Sequence, residues 1–355
     1  MDTSRRNISA LTIAGVYIGT VVGAGFASGQ EVLQFFTFFG LNSLFALFIA
    51  GVLFVFFGGI VLELGHRLRA GSYPEIVRYA GGPYLGAVVD VIITFFLFGA
   101  LTTMAAGAGA IFSEQFGLPK VAGSFFMITA SLVTVLSGFH GVVLAISFVV
   151  PVLLLSVLGL CTAALITLPL DLTAIKLWSA TVKPAIPFWP LSALTYVSYN
   201  LILSLCILAP LGAGAANPGV VKKGALLGGL GLVVGALAIN LAILTAPSGA
   251  SGFEVPMVYI AGRFAPLIQA GYGLVLLAEI YTTAVANLYG FTARINTPGT
   301  ARFRQAALIV AAVAFSASML GFSNLVRYLY AVVGVAGFLL LGGLAYGYLR
   351  ERLNI

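Results

Sequence analysis

The chain is a succession of long apolar runs separated by short polar connections. Ten runs stand out, at roughly 8–39, 42–66, 84–115, 118–138, 142–166, 188–213, 221–246, 264–292, 303–319 and 322–349. A helix that crosses a bilayer needs about 20 mostly apolar residues. Inside hydrocarbon every backbone group must be paired within the protein, which leaves helices or closed barrels. Barrel strands alternate in polarity. These runs are continuous and rich in Leu, Val, Ala, Phe and Gly, so they predict helices. The connections are short enough to predict a single membrane domain over residues 1–355. Residues 67–83 are a longer connection carrying Arg67, Arg69 and Arg78. Residues 167–187 predict a short interfacial helix, and residues 247–263 predict another.

Composition reinforces the pattern. The chain is 61% hydrophobic and 8% charged, with a mean hydropathy of +1.11. Most of its 43 glycines fit close helix packing, which small residues permit in membranes. A net charge of +7 raises nucleic acid as a partner, but the basic residues sit in loops and no soluble domain presents a basic patch. The partners expected are the lipid bilayer and a small-molecule substrate, with no nucleic acid. Cys161 and Cys206 fall inside apolar runs, which argues against a disulfide or metal motif. Arg5 and Arg6 before an apolar run resemble a signal peptide, but the run continues past its polar break into Phe35–Phe39, unlike a cleaved segment.

Charge also orients the chain. With the N-terminus in the cytoplasm, twelve basic residues face inward: Arg5, Arg6, Arg67, Arg69, Arg78, Lys222, Lys223, Arg294, Arg302, Arg304, Arg350 and Arg352. Five face outward: Lys120, Lys176, Lys183, Arg263 and Arg327. Cytoplasmic loops carry the excess of Lys and Arg. The bias predicts an even number of spans, both termini inside, and residence in the cytoplasmic membrane.

Charges within spans are costly, about 2.5–3.5 kcal/mol on insertion scales, and mark function. Glu31 follows a glycine-rich stretch in the first run, and Glu279 lies in the middle of the eighth. Asp90 lies in the inner third of the third run. Glu63 and Glu114 sit near span ends, where a carboxylate reaches the interface. The first run reads Gly19-Thr20-Val21-Val22-Gly23-Ala24-Gly25-Phe26-Ala27-Ser28-Gly29-Gln30-Glu31. Glycine costs about 1 kcal/mol of helix propensity relative to alanine, so helix is expected to stop and restart here. Such a break frees carbonyls, which favour cations, and amides, which favour anions. Secondary transporters place substrate and coupling ion at breaks of this kind. The sixth run holds Thr195, Tyr196, Ser198, Tyr199 and Asn200 in a matching position of the second half, and it is expected to break as well. Five runs per half predict two repeats of opposite topology, about 8–166 and 188–349. In the eighth run, Glu279, Thr282 and Thr283 at i, i+3 and i+4 share one face. They offer one carbonyl and two hydroxyls, although membrane threonines often bond their own helix backbone instead.

The run Gly-Ala-Gly-Phe-Ala-Ser-Gly-Gln-Glu over residues 23–31 resembles the signature of YkvI-like amino-acid permeases. Those are similar in turn to the amino acid–polyamine–organocation superfamily, an all-α membrane class of ten transmembrane helices in a five-plus-five inverted repeat (LeuT-type). In span count and break position the resemblance covers the whole chain, while the sharp motif covers only the first run. It implies discontinuous helices 1 and 6. It also implies Na⁺ bound by the carbonyls of Gly19 and Val22 with Glu279, Thr282 and Thr283. The substrate carboxylate would meet the amides of Ala24 and Gly25, in a pocket formed with Gly23, Phe26, Ala27, Ser28, Tyr196, Tyr199 and Asn200. Gln30, Glu31, Asp90 and Glu279 become candidates for coupling or gating. Glu279 departs from the family pattern, which has a small residue there, and its carboxylate could carry H⁺ instead. Residues 142–166 contain no Lys or Arg, unlike many proton-coupled relatives, which favours Na⁺. No other cofactor is expected.

The expected function is therefore a secondary transporter of an amino acid or similar small carboxylate, coupled to Na⁺ or H⁺ by alternating access. A channel is the alternative, but no filter sequence or ring of charge appears. An intramembrane enzyme comes last. His66 and His140 are the only histidines, and Glu63 is the single possible ligand at metal spacing from His66.

Overall fold

A computed structural model of the protein describes residues 8–137 and 139–352. Arg5 and Arg6 of the charge count lie outside the described residues, as do the side chains of His140 and Arg352. The chain is a bundle of helices: α1 (Ala10–Val21), α2 (Ala24–Ala27), α3 (Gln30–Phe35), α4 (Ser43–Leu68), α5 (Tyr73–Phe116), α6 (Lys120–Leu136), α7 (Phe139–Thr167), α8 (Leu172–Ser179) and α9 (Trp189–Ala213). It continues with α10 (Pro218–Leu244), α11 (Pro247–Ala250), α12 (Pro256–Gly262), α13 (Pro266–Ile295), α14 (Ala301–Ser318), α15 (Phe322–Asn324), α16 (Ala331–Ala336) and α17 (Phe338–Arg352). Among the described residues six helical stretches are long and apolar enough to cross a membrane: Thr37–Leu68, Tyr73–Phe116, Trp189–Ala213, Pro218–Leu244, Pro266–Ile295 and Phe322–Arg350. Ala10–Val21 and Lys120–Leu136 are shorter apolar helices, and α7 and α8 form a pair bent by 116°.

The interfacial helices expected after runs five and seven are present as α8, and as α11 with α12. Asp171 caps α8 by accepting from the amides of Thr173 and Ala174, both at 2.9 Å. Residues 67–83 differ from the sequence reading. Most of this stretch is helix, because Ser72 and Pro74 open a turn that runs on to Ala80. The interruption comes at Gly81 and Gly82, where Gly82 takes φ 77°, before Pro83 restarts the helix.

The expected break in the sixth run is absent. Helix α9 continues from Trp189 to Ala213. Its polar side chains return their hydrogen bonds to their own helix: Thr195 Oγ1 donates to the Leu191 carbonyl at 2.7 Å and Asn200 Nδ2 to the Tyr196 carbonyl at 2.9 Å. Ser204 likewise donates to the Asn200 carbonyl. No glycine interrupts residues 189–209, and the one breaker inside the helix, Pro210, lies near its C-terminal end, ten residues past the polar group.

Helix α9 packs closely along α4, and two glycines set that approach. A Cβ on Gly65 would lie 2.3 Å from the Ala209 carbonyl oxygen, and one on Gly212 would lie 2.2 Å from the Leu62 carbonyl oxygen. Both neighbours are backbone, so the helices must separate to admit a methyl group. Gly65→Ala and Gly212→Ala are each expected to destabilise the fold by about 1–3 kcal/mol, the usual cost of overpacking. Thermal unfolding in detergent checks this; an unchanged midpoint in both variants would contradict the packing.

Candidate functional site

The first run breaks where glycine clusters. Helix α1 ends at Val21, Val22 and Gly23 are extended, and α2 begins at Ala24. Gly29 then takes the left-handed region at φ 79°, which only glycine adopts without cost, and turns the chain into α3. No backbone amide among the described residues closes on the carbonyls of Gly19, Thr20, Val21 or Val22, and the opening amides of Ala24, Gly25 and Phe26 find no backbone acceptor. These are the carbonyl and amide ends that a helix interruption exposes.

The rest of the break is tied down. Ser28 Oγ donates to the Gly25 carbonyl at 2.7 Å and accepts from the Gln30 amide at 3.2 Å. Tyr272 on α13 donates its hydroxyl to the Ala27 carbonyl at 2.6 Å. The Met257 amide, on α12, donates to the Ser28 carbonyl at 3.0 Å. The break is therefore held between α12 and α13. Phe26 points toward α10, where a Cβ on Gly235 would touch its ring at 3.2 Å.

Two buried carboxylates belong to this region, Glu31 at the turn and Glu279 behind Thr283. Glu31 is buried and folds back across the Gly29 turn onto Gly25. A Cβ on Gly25 would lie 1.9 Å from Glu31 Oε1. Tyr199, from α9, donates its hydroxyl to Glu31 Oε2 at 2.6 Å. The Tyr199 ring sits among Phe35, Tyr196 and Tyr330, with centroids 5.4, 5.4 and 5.1 Å away. The Tyr196 hydroxyl is buried without a partner. On the other side, Glu279 of α13 is buried and its Oε2 has no partner, while Thr283 lies within hydrogen-bond reach of its carboxylate. A Cβ on Gly23 would come 4.0 Å from Thr283 Oγ1, which places that hydroxyl against the break.

The structure thus brings together Gly23, Gly25, Ser28, Glu31, Tyr196 and Tyr199, with Glu279 and Thr283 alongside. Thr282 is buried, and its hydroxyl donates to the Glu279 carbonyl at 2.9 Å, so it serves its own helix. Asn200 does the same on α9. Gln30 and Gln34 are buried, each with an unpartnered Oε1. Asp90 stands apart from the break: it pairs with Arg294 and accepts from Tyr73, while Arg294 also donates to Tyr73 at 2.6 Å. This cluster joins the first part of α5 to the end of α13. A second cluster joins the other end of α5 to the chain just before α12. There Glu114 accepts from the Glu254 amide at 2.6 Å and the Val255 amide at 3.2 Å. Glu254 pairs with Lys120 and accepts from the Phe322 amide at 2.6 Å. Sequence reasoning missed Tyr73, Arg294 and Glu254 as cluster members. Apart from Asp90, 17 residues from Tyr73, their partners lie 68 to 221 residues away, beyond any local pattern.

Described cavities lie on the flanks of the bundle. One of 740 Å³ opens between α5, α6 and α13 and is lined by Phe112, Phe126 and Tyr281. Another of 470 Å³ lies between α7 and α13. Neither includes a residue of the break.

No family model matches the chain. Two proteins of Bacillus subtilis (strain 168) are similar along nearly its whole length. The uncharacterized membrane protein YkvI is 31% identical over 95% of this chain and 95% of its own. The uncharacterized protein YyaD is 28% identical over 91% of this chain and 92% of its own. Three solved structures share the backbone. The inward-facing conformation of Mhp1 gives a TM-score of 0.65 at 15% identity, covering 98% of this chain and 78% of that one. MhsT in complex with L-phenylalanine gives 0.59 at 16% identity, with 92% and 87% covered. A Na⁺-coupled sialic acid symporter gives 0.59 at 12% identity, with 95% and 79% covered. At these identities the likeness establishes the fold, which is LeuT-type, and these neighbours are transporters rather than enzymes.

Proposed function

The chain belongs to the family of the membrane protein YkvI, and on that premise we propose that it is a secondary active transporter of a small amino-bearing solute, an amino acid or a related compound, driven by Na⁺ or H⁺. The observation that carries this reading is the break at Val22–Gly29, held between α9, α12 and α13 with a buried carboxylate on each side. Interrupted helices near mid-membrane are where such transporters bind substrate and ion. An enzyme would need a nucleophile with its base, or a metal set. Among the described residues no group of three or more His, Cys, Asp or Glu could hold a metal.

In this reading the chain crosses ten times: α1 through α3 as one, then α4, α5, α6, α7, α9, α10, α13 and α14, with α15 through α17 as the last. Five on either side of α8 fit two repeats, about 8–166 and 188–349. With the basic residues predominantly inward, both termini are cytoplasmic, and the Asp90–Arg294 pair lies on the inner side. The Glu114–Glu254–Lys120 cluster then lies on the outer side. Alternating access would open these two ends in turn.

For the ion, we take the carbonyls of Gly19 and Val22, on which no backbone amide closes, together with Glu279, Thr282 and Thr283 of α13 as the Na⁺ ligands. Hard oxygen ligands of this kind suit alkali cations. Thr283→Ala is expected to raise the Na⁺ concentration for half-maximal uptake by roughly 10-fold, the loss of about 1.4 kcal/mol of binding. Thr282→Ala should shift it in the same direction, because a hydroxyl that donates to its own helix keeps its lone pairs for a cation. Sodium titrations of uptake check both; unchanged dependence in Thr283→Ala removes α13 from the ion site. If uptake follows a pH gradient instead, Glu279 is the proton carrier. Saturable uptake with counterflow separates this reading from a channel, which would give neither.

A further inference from the structure

Glu31 lies beside the ground that a substrate carboxylate would need. In the fold's usual reading, an anionic group approaches the opening amides of Ala24 and Gly25. Here the protein's own carboxylate lies against Gly25, close enough that a Cβ there would be 1.9 Å from Oε1 and 2.9 Å from Cδ, so a substrate carboxylate on those amides would sit beside a like charge. The side chain is 6% exposed, so water does not neutralise it. Its described hydrogen-bond partner is one phenol, Tyr199. Neither the Lys120–Glu254 nor the Arg294–Asp90 ion pair involves Glu31.

The surroundings are those of a cation site. Rings of Phe35, Phe96, Tyr196 and Tyr330 pack around Tyr199 with centroids 5.1 to 6.0 Å from it. Aromatic faces carry negative potential and attract ammonium groups. The Tyr196 hydroxyl, on a side chain 1% exposed, has no partner and is available to a ligand. Across the break, Glu279 Oε2 is also unpartnered. A second anion brought against Gly25 would meet the Glu31 carboxylate, for which no basic partner is described. A buried charge is retained when something pairs with it, and a membrane-embedded carboxylate is ordinarily matched by a partner.

We propose that Glu31 is the counter-ion for the ammonium group of the substrate, so that the site prefers an amine lacking a neighbouring carboxylate over the matching α-amino acid. The proposal rests on the transporter reading above for its setting and narrows its substrate class. Glu31 stands in for the carboxylate that the substrate does not carry, while Tyr199 holds it in place and Tyr196 offers its free hydroxyl to the bound amine.

Matched pairs that differ by one carboxyl group test this: phenethylamine against L-phenylalanine, and 3-methylbutylamine against L-leucine. Thermal protection of the full-length protein in detergent and uptake into proteoliposomes are both measured. The amine of each pair should act at a concentration at least about 10-fold below its amino acid. Glu31→Gln should lose at least about 10-fold in amine affinity, as expected when one partner of a buried ion pair is removed, while Glu31→Asp keeps part of it. Should Glu31→Gln fail to fold, Tyr199→Phe reports the same site with a smaller loss. Protection by amino acids but not amines, or amine binding unchanged in Glu31→Gln, overturns the proposal, as does the absence of Glu31-dependent protection by either amine. Gradient-driven uptake of amino acids alone would leave the transporter reading standing without this one. Glu31-dependent amine binding without driven uptake would do the reverse.

Discussion

Gly25→Ala is expected to abolish transport while leaving the fold intact. A methyl group at this position requires the space held by Glu31 Oε1, at 1.9 Å, and Cγ, at 3.2 Å. The obstruction is the far end of a side chain rather than backbone, so the helices need not move apart. The carboxylate swings off the turn instead and loses the Tyr199 hydroxyl now 2.6 Å away. A displacement of about 1 Å at a reacting or binding centre can cost on the order of 100-fold in rate, and this displacement is larger. Uptake should therefore fall at least about 100-fold, with the unfolding midpoint close to that of the native protein. Gly15→Ala is the control, since a Cβ there meets nothing within 4 Å and uptake should be unaffected. Paired measurements of uptake and thermal unfolding in the two variants decide it. Full activity in Gly25→Ala would mean that the Glu31 carboxylate has no fixed place over the turn.

The second large effect is expected from Glu254→Ala. One side chain serves two elements: Oε2 accepts from the amides of Phe322 and Ser323 at 2.6 and 3.3 Å, and Oε1 pairs with Lys120. Its amide in turn donates to Glu114 on α5. Helix α12, which follows at once, reaches the break through the Met257 amide. Removing the carboxylate orphans the first amides of α15 and frees the near end of α12. Hydrogen bonds to a charged group contribute about 1.5–3 kcal/mol each, and partial exposure at this end reduces the total, so a loss of about 2–3 kcal/mol is expected. A thiol at Met257→Cys, in a background with Cys161 and Cys206 replaced by serine, should then react faster with an impermeant maleimide. Equal reactivity and stability with and without Glu254 would show that the cluster does not hold this end shut.

The reach of the sequence can be judged from individual residues. The break in the first run was legible because four glycines in an apolar run oppose helix on propensity alone, and Gly29 with its positive φ is the position where glycine is required. The matching break in the sixth run was wrongly expected. Polar side chains in a span look alike whether they line a break or return to the backbone four residues earlier, as Thr195, Asn200 and Ser204 do. Glu31 was legible as a costly charge, but not the direction it takes: it folds back over Gly25 through the left-handed turn and meets Tyr199 from 168 residues away. The charged clusters at the two ends were illegible because each joins elements far apart in the chain. Asp90 was singled out as a charge in a span, yet its partner Arg294 had been counted as a loop residue that sets orientation.

Driven accumulation is the property that a secondary transporter has and a channel or an enzyme lacks. The purified chain is reconstituted into proteoliposomes, and uptake of the labelled amines and amino acids named above is followed under an inward Na⁺ gradient, then under a pH gradient. The account predicts that one gradient drives at least one of these solutes above its external concentration, that a matching ionophore collapses the accumulation, and that Gly25→Ala does not support it. Uptake that stops at equilibration under both gradients, or accumulation preserved in Gly25→Ala, would contradict a transport site at the break in the first span.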